Sequence, residues 1–242
     1  MEETKASKGA AATQPALNKK EDFILKYKNW IIGGVIAVIV AIVGVVLYKN
    51  HKSAQQEKAA TASAAGQDIY LNDGIDYYIN GNTQGDSTAI QKALHGDGKG
   101  FIGFVKIADE YSSTPAGNLA NLYAGLSYAA IDKWQEAAQY IEKFEDAGDI
   151  AISPAAMGAL ANCYANLNQL DKAVETFKKA AERAANAAQS PVFLVEAGLI
   201  LESQGKKADA LKLYEQVKTY ERIDRQIPYQ DVIDEYIERV SQ

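Results

Sequence analysis

The sequence predicts an all-α protein in which a single N-terminal transmembrane helix is followed by a solenoid of stacked helical hairpins. Two observations predict it. Residues 30–48 form a run of 19 residues without a charged or strongly polar side chain. In the C-terminal half, one pattern recurs around alanines 137, 173 and 210, with spacings of 36 and 37 residues. The run has the length of a membrane span, and the recurrence is typical of a helical repeat array.

The composition excludes several functional classes. The chain of 242 residues carries 31 acidic and 25 basic side chains, a net charge of −6, which argues against general nucleic-acid affinity. A single cysteine excludes an internal disulfide framework and a Cys-rich zinc site. Two histidines leave little for catalysis or metal binding. We therefore expect no enzyme activity, no cofactor, no metal and no small-molecule substrate.

The N-terminal segment is basic, with nine lysines against five acidic residues in positions 1–58. Residues 1–20 are rich in Ala, Lys, Thr and Gly without periodicity, which predicts a disordered tail. Residues 21–50 are predicted to be a membrane anchor, because the run at 30–48 would be roughly 28 Å long as a helix, against a hydrocarbon core of about 30 Å. A cleavable signal peptide is the alternative, but the length of the run and the lysines after it favour an uncleaved anchor.

Small residues recur within this run at Gly34, Ala37, Ala41 and Gly44, with spacings of three, four and three. They would form one stripe on the helix, against which a second membrane helix could pack closely. The alternative is that Gly and Ala are common in any membrane helix. Four lysines in the 15 residues before the run and three in the 15 after it favour a cytoplasmic N-terminus only weakly.

Residues 51–100 are predicted to form a linking helix, over about 52–80, and a glycine-rich loop with one helical turn at 88–94. The stretch Gly96–Gly100 contains three glycines and a lysine. It lacks the spacing of a phosphate-binding loop and no strand precedes it, so we expect a turn.

Three copies of one pattern follow within residues 101–242. Each of the three alanines has the same neighbours. Twelve positions before it stands a small residue (Gly125, Ala161, Gly198), and nine before it stands Tyr or Leu (Tyr128, Tyr164, Leu201). Four positions after it stands a large apolar residue (Ile141, Phe177, Tyr214), and seven after it stands another apolar residue (Phe144, Ala180, Val217). This is the tetratricopeptide pattern, in which small residues stand where two helices cross and large residues fill the space to the next hairpin.

The pattern also predicts boundaries. We expect repeats at about 118–153, 154–190 and 191–224, a degenerate unit before them, and a capping helix at 228–241 that Pro228 opens. Asn168 and Gly205 fall at the turns inside hairpins. Pro154 and Pro191 suit the first position of a helix, with Ser153 and Ser190 as their N-caps.

The anchor, the linking helix and the segments Phe101–Tyr111 and Thr114–Ala120 together resemble the bacterial inner-membrane tetratricopeptide proteins that are ancillary subunits of the SecYEG translocon, in the version found in Bacteroidota. The resemblance covers about residues 20–240. It implies a cytoplasmic N-terminus, a periplasmic repeat domain and association with translocon subunits and a membrane-bound periplasmic chaperone. It carries over no catalytic residues.

Two functions are consistent with these features. The first is a non-catalytic, membrane-tethered interaction scaffold of the bacterial inner membrane, acting as an accessory subunit of the Sec translocon with periplasmic chaperones on exported polypeptides. The second is a structural subunit of another bacterial membrane complex, held mainly by its transmembrane helix. They differ in whether the repeats or the membrane helix make the essential contact.

A partner is expected on the concave face of the solenoid, which first helices at 116–130, 155–167 and 191–204 would form. The side chains predicted there are almost uncharged: Leu119, Leu122, Leu126, Gly158, Asn162, Asn166, Val195, Leu199 and Glu202. Without Lys or Arg, such a groove suits a segment with apolar side chains rather than an acidic chaperone tail. The alternative is that the linking helix or the last helix of the same chain fills it.

The remaining reactive side chains suggest no site. Cys163 stands beside Tyr164 in a repeat position that small apolar residues often fill, so we expect a core thiol. His51 and His95 have no Ser, Cys or Asp constellation around them in the sequence, and we expect surface histidines.

Overall fold

The computed structural model describes the backbone of residues 14–69, 87–221 and 228–242, and the side chains of these residues other than 14–39 and 221. All regular secondary structure in these ranges is helical, and they contain no strand. The all-α prediction is therefore confirmed for this part of the chain. The chain divides into two compact units, Met1–Ala54 and Gln55–Gln242.

The first unit is built on a long helix, α1 (Gln14–Asp68), which continues into the second unit. It begins inside the segment 1–20 for which the sequence predicts a disordered tail. Pro15 suits the first turn of a helix, and the Ala, Leu and Lys residues that follow favour helix. Residues 40–48 of this helix have exposed side chains.

No helix in the described part of the chain is both long enough and apolar enough to cross a bilayer. The predicted span at 30–48 includes ten residues, 30–39, whose side chains lie outside the described residues, and Gly34 and Ala37 are among them. The transmembrane helix therefore stays a prediction.

The end of α1 belongs to the second unit and packs on it. Ala59 is completely buried, and Gln56 accepts a hydrogen bond from the backbone N–H of Ala116 at 3.2 Å. Gly66 lies against two aromatic rings, because a Cβ there would stand 2.2 Å from Phe101 and 2.9 Å from Phe104. This part of the predicted linking helix thus covers the N-terminal end of the repeats. Residues 70–80 of that prediction lie outside the described residues.

Two short helices follow, α2 (Thr88–His95) and α3 (Phe104–Glu110). The glycine-rich stretch between them is a turn, as expected, and Asp97 closes it by accepting from the N–H groups of Lys99 and Phe101 at 2.8 and 3.0 Å. These N–H bonds, that of Lys99 first, lower the pKa of the Asp97 carboxyl. The turn donors that would bind a phosphate are therefore occupied by the chain's own carboxylate.

Three helical hairpins and a last helix complete the second unit. The hairpins are α4 (Pro115–Ala129) with α5 (Trp134–Ile141), α6 (Ile152–Asn166) with α7 (Leu170–Ala184), and α8 (Ser190–Ser203) with α9 (Lys207–Glu221); α10 (Ile233–Ser241) follows. Each helix from α3 to α10 packs on the next one along the chain. This is the stacking that one-sided amphipathic hairpins require, because a single hairpin cannot cover its apolar face.

The crossing points within the hairpins are where the repeat pattern places them. Ala137, Ala173 and Ala210 are completely buried. A Cβ on Gly198 would stand 2.3 Å from the ring of Tyr214, and one on Gly125 would stand 2.4 Å from Ile141 Cγ1. The small residues therefore let the paired helices approach until the large residues of the second helix fill the remaining space.

The turns inside the hairpins share one backbone requirement. Asp132, Asn168 and Gly205 have φ values of 60°, 57° and 73°, in the left-handed region. Asn168 and Gly205 lie at turns as predicted. Asp132 stands at the same repeat position, 36 residues before Asn168, and the sequence analysis missed it. Gly, Asn and Asp are the residues that adopt this conformation at the lowest cost.

The serines before the two repeat prolines do not have the predicted N-cap role. Helix α6 begins at Ile152, so Ser153 lies inside it, and Ser190 is the first residue of α8. The Ser190 hydroxyl donates to the Ala181 carbonyl at 2.9 Å and accepts from the N–H of Asn186 at 3.1 Å. Both serines are buried and fasten the connection that precedes their helix.

The cap of α6 is Asp149 instead. Its Oδ1 accepts from the N–H groups of Ala151 and Ile152 and, at 3.2 Å, from that of Ser153. The Ser153 hydroxyl donates to Oδ2 at 2.6 Å. These hydrogen bonds lower the pKa of the Asp149 carboxyl to about 2, and the bond from the Ser153 hydroxyl contributes most. A carboxylate upstream of the helix therefore satisfies three donors that would otherwise lack partners.

The last helix begins later than predicted. Residues 228–232 form turns, and α10 begins at Ile233 rather than at Pro228. Ile233 is completely buried and Val240 is 5 % exposed, so α10 covers the end of the solenoid with one apolar stripe. Tyr229, in the turn, has a φ of 67°, a left-handed conformation that interrupts a helix at this point.

The close crossing at Gly125 predicts that Gly125→Ala destabilises the protein, although Ala favours helix over Gly by about 1 kcal/mol. The new Cβ would meet Ile141 and the Ala137 carbonyl oxygen, at 2.4 and 2.9 Å. We expect a net loss of about 1–3 kcal/mol in the free energy of unfolding, measured by urea denaturation followed by circular dichroism. Gln139→Ala, at an exposed site of α5, should change it by less than about 0.5 kcal/mol. An unchanged or higher stability for Gly125→Ala would contradict this account.

The Asp149 cap predicts a pH-dependent stability. A carboxyl whose pKa is lower in the folded state stabilises that state above its unfolded pKa of about 3.9, and this contribution disappears as the pH falls towards about 2. The melting temperature of Asp149→Ala should therefore lie about 2–4 °C below that of the wild type at neutral pH, and the gap should close in acid. Asp109→Ala, at an exposed site of α3, should show no such closing gap. A gap that stays constant down to pH 2 would rule out the carboxylate as its source.

Candidate functional site

An open cleft of about 460 Å³ lies between α6 and α8, the first helices of the second and third hairpins. Its wall is mainly apolar, with three polar side chains at its edges. The apolar residues are Ala155, Gly158, Ala159, Phe177, Ala188, Val192 and Phe193, and the polar ones are Asn162, Gln189 and Glu196. No Lys or Arg is among the described residues that line it. The cleft is large enough for several side chains of a partner and suits apolar ones.

The floor of the cleft is aromatic. Phe177 is 1 % exposed and Phe193 is 9 % exposed, and their rings stack with centroids 6.5 Å apart. Gly158 makes this possible, because a Cβ there would stand 2.4 Å from the Phe193 ring. The absence of a side chain at position 158 therefore lets Phe193 reach across from α8 and leaves the space above it open.

The two acidic residues of α8 have different environments. Arg239 of α10 donates to Glu202 through Nε and Nη2, at 2.6 and 2.8 Å, and Tyr214 donates to the same carboxylate at 3.2 Å. These donors, Arg239 first, lower the pKa of Glu202. Glu196 lines the cleft, and burial first and then the negative charge of Glu196 raise the pKa of Tyr229. Among the described residues, no Lys or Arg lies within ion-pair distance of Glu196.

Other parts of the chain cover part of the first hairpin. Tyr123 of α4 stacks on Phe104 of α3 with centroids 4.9 Å apart and an angle of 14° between the rings. Near the end of α1, Gly66 lies against the rings of Phe101 and Phe104. The alternative in which segments of the same chain cover the repeats is therefore found at this end of the solenoid, while the space between α6 and α8 stays open.

The predicted groove residues divide into three groups. Gly158 and Asn162 line the cleft. Leu122 is 6 % exposed and Val195 is completely buried, so both belong to the core. The remaining five lie outside the cleft. Three leucines are half-buried and pack against the hydrophobic core: Leu119, Leu126 and Leu199. Asn166 and Glu202 form hydrogen bonds within the chain.

The difference has a geometric reason. The predicted groove requires equivalent repeat positions to line one common surface. The cleft instead lies between two neighbouring first helices, which turn different sides towards it. Gly158 and Val195 occupy the same repeat position, 15 residues before their alanine, yet one faces the cleft and the other faces the core. Val192, Phe193 and Glu196 were missed for this reason, although an aromatic residue opposite a glycine was a usable signal.

An ordered turn extends the cleft at the N-terminal ends of α6 and α8. Arg183 donates to the Asp146 carboxylate at 2.6 and 2.9 Å and to the Asp149 carbonyl at 2.7 Å. Gln189, from the cleft edge, donates to the Ala151 carbonyl at 3.1 Å. The turn that these bonds hold carries Ile150, which is 75 % exposed and begins an apolar rim beside the cleft.

The other candidate side chains form no reactive site. Cys163 is 1 % exposed, and burial raises the pKa of its thiol to about 11, so it is the expected core thiol and is unreactive at neutral pH. His51 and His95 are exposed, and His95 lies edge-on to the ring of Tyr128. Within the described ranges, no group of His, Cys, Asp and Glu could hold a metal ion.

Comparison with known proteins agrees with this geometry. The tetratricopeptide repeat-like domain family matches residues 21–234. No curated protein matches the chain. Among solved structures, a kinesin light chain of Podosopora anserina with nearly identical TPR-like repeats superposes with a TM-score of 0.51 at 17 % identity, over 78 % of this chain and 85 % of that one. A glutamine-to-methionine variant of that protein gives 0.50 at 16 % identity, over 79 % and 87 %.

Identities this low show a common fold and nothing about partners. The match to the family covers 214 of 242 residues, counted from 21 to 234, and the described helices have its hairpin arrangement. Such repeats are generally non-catalytic scaffolds that bind other proteins. The chain therefore belongs to the tetratricopeptide repeat-like family.

Proposed function

We propose that this protein is a membrane-tethered interaction scaffold that works as an accessory subunit of the Sec translocon, with periplasmic chaperones, on exported polypeptides. The observation that carries the scaffold part is the open apolar cleft between α6 and α8, with Phe177 and Phe193 as its floor. A polypeptide on its way through the envelope is unfolded and exposes apolar side chains. A cleft with apolar walls, and with no Lys or Arg among the described residues that line it, suits such a segment and disfavours an acidic tail.

The membrane part of the proposal rests on the sequence. The run at 30–48 has the length and composition of a membrane span, and its described part carries exposed apolar side chains, such as Val40 at 64 % and Leu47 at 63 %. A helix that exposes so much apolar surface needs an apolar environment. Tethering would raise the effective concentration of the cleft near the translocon, so a modest affinity would suffice.

The resemblance of the segments at 101–120 to ancillary translocon subunits supports the choice of complex. It also supports a cytoplasmic N-terminus and a periplasmic repeat domain. We expect these properties together, because the cleft lies in the repeats and would face exported chains only in the periplasm.

A second candidate is a structural subunit that is held mainly through its membrane helix. Ala41 and Gly44, from the predicted stripe of small residues, are exposed, and a Cβ on Gly44 would meet no atom within 4 Å. This leaves room for a partner helix to pack closely. In this case the repeats would add little to assembly.

The complex can be tested by purifying the tagged full-length chain from membranes in a mild detergent and identifying co-purifying proteins by quantitative mass spectrometry. The proposal predicts translocon subunits and a periplasmic chaperone in near-stoichiometric amounts. Recovery of the chain alone, or with an unrelated membrane complex, would reject the translocon role and leave a tethered repeat scaffold.

The contribution of the cleft can be tested with Val192→Asp. The carboxylate would stand unpaired in an apolar cleft, and leaving such a group without partners costs about 1–3 kcal/mol, so capture of the partner should fall at least about fivefold. Leu211→Asp is the matched control, because Leu211 is also half-buried and lies on α9 of the same hairpin, outside the cleft. Equal capture by the two variants would show that the cleft does not bind the partner.

The membrane-helix alternative makes the opposite prediction. Gly44→Leu would fill the space of a partner helix and should abolish assembly, whereas Val43→Leu, at the neighbouring exposed site, should not. Co-purification from membranes is again the measurement. If Gly44→Leu assembles normally and Val192→Asp does not, the alternative is wrong.

A further inference from the structure

We propose that the segment bound in the cleft carries one basic side chain, which pairs with Glu196, and large apolar side chains that extend from there over Phe193 towards Ile152. The inference rests on the proposed scaffold function and defines the chemistry of the partner. It follows from the charge at one end of the cleft, the apolar rim at the other end and the distance between them.

One end of the cleft carries a carboxylate. Of the described residues that line the cleft, Glu196 alone is charged, and within the described part of the chain it forms no ion pair. Glu202, two turns further along α8, shows the other possibility, because Arg239 neutralises it with two hydrogen bonds. A carboxylate beside an apolar site is stabilised by a cation, and among the described residues the chain supplies one to Glu202 and none to Glu196. In the proposed complex, the occupant supplies the cation.

The opposite end of the cleft has an apolar rim. Ile152 is 47 % exposed and precedes Ala155 and Ala159 by three and seven residues, so it lies on the cleft-facing side of α6. Ile150 stands beside it in the turn that Arg183 holds. Ile150 in the turn and Ile152 at the start of α6 both expose apolar surface to water, and an occupant that continued beyond the cleft would cover them.

The distance between the two ends defines a spacing in the partner. Along α8, seven residues separate Gln189 from Glu196, and along α6, ten residues separate Ile152 from Asn162. At about 1.5 Å per residue these are roughly 10 and 15 Å. An extended chain rises about 3.3 Å per residue, so the basic residue and the last apolar anchor would stand about three to five residues apart.

Other occupants fit less well. An acidic segment would place a second negative charge beside Glu196, and a wholly apolar segment would cover this carboxylate without a cation. Both leave a charge without compensation at the edge of an apolar site. A small organic molecule could fill the cleft, but it would not reach the isoleucine rim.

The test uses the full-length protein in detergent and a set of fluorescein-labelled Leu- and Val-rich peptides, measured by fluorescence anisotropy. The peptides are identical except at one position near an end, which is Lys, Gln or Glu. We expect the Lys peptide to bind about threefold to tenfold more tightly than the Gln peptide, the Glu peptide to bind more weakly than both, and the preference for Lys to shrink in high salt. In a further pair of peptides, the Lys or Gln stands directly beside the apolar anchor instead of about three to five residues away. The preference for Lys over Gln should then be mostly lost, because the Lys can no longer reach Glu196.

Glu196→Gln isolates the pair in a double-mutant cycle. This variant should bind the Lys and Gln peptides equally, because the charge that discriminates between them is gone. Glu215→Gln, which removes the same charge from an exposed site on α9 outside the cleft, should keep the wild-type preference. Circular dichroism establishes that both variants are folded.

Two results would overturn the inference. One is that the wild-type protein binds the three peptides with equal affinity or binds none of them. The other is a preference for Lys that survives in Glu196→Gln. Neither result affects the translocon proposal if the co-purification of translocon subunits still depends on Val192. Conversely, if the peptides show the expected selectivity but translocon subunits do not co-purify, only the translocon role is rejected.

Discussion

The structure depends on one steric constraint, the close approach of two helices at a small residue in each hairpin. Ala137, Ala173 and Ala210 are completely buried at these points, and glycines stand opposite in the first and third hairpins. Because the backbones nearly touch there, the large residues four positions later can fill the space beside them, as Tyr214 does against Gly198. The face that remains apolar must then be covered by the next hairpin, and the stack follows.

The cleft is a consequence of the same constraint applied between hairpins. Gly158 has no side chain, and Phe193 of the next hairpin occupies the approach to it. The aromatic ring thereby becomes the floor of an open space rather than part of a closed core. The connection between the hairpins keeps this space in shape, because Arg183 and Asp149 order the turn at its end. A binding surface of stable geometry loses less conformational entropy when it is occupied.

The sequence predicted the helical class, the hairpin alignment and two of the three left-handed turn residues, because each follows from local spacing. It failed where a residue's role depends on a neighbour that is distant in sequence. Ser153 was expected to cap its own helix, yet it bonds to Asp149, which is itself the cap. Val195 was expected on the binding face, yet it is buried, because the third hairpin turns another side towards the second. Periodicity places a side chain on a helix but does not orient that helix against the next one.

What the sequence determined by itself is therefore the unit, a pair of amphipathic helices that cross at small residues and turn back at a left-handed residue. The tertiary structure decided how the hairpins face one another, and this determined which part of their surface stays open. The end of α1 and helix α3 cover part of the first hairpin, and Arg239 of the last helix neutralises Glu202, while the cleft above the buried rings of Phe177 and Phe193 stays open beside Glu196. The reason is physical. The local spacing of residues specifies which surface of a hairpin is apolar, but only the packing of all hairpins determines which part of that surface stays exposed to a partner.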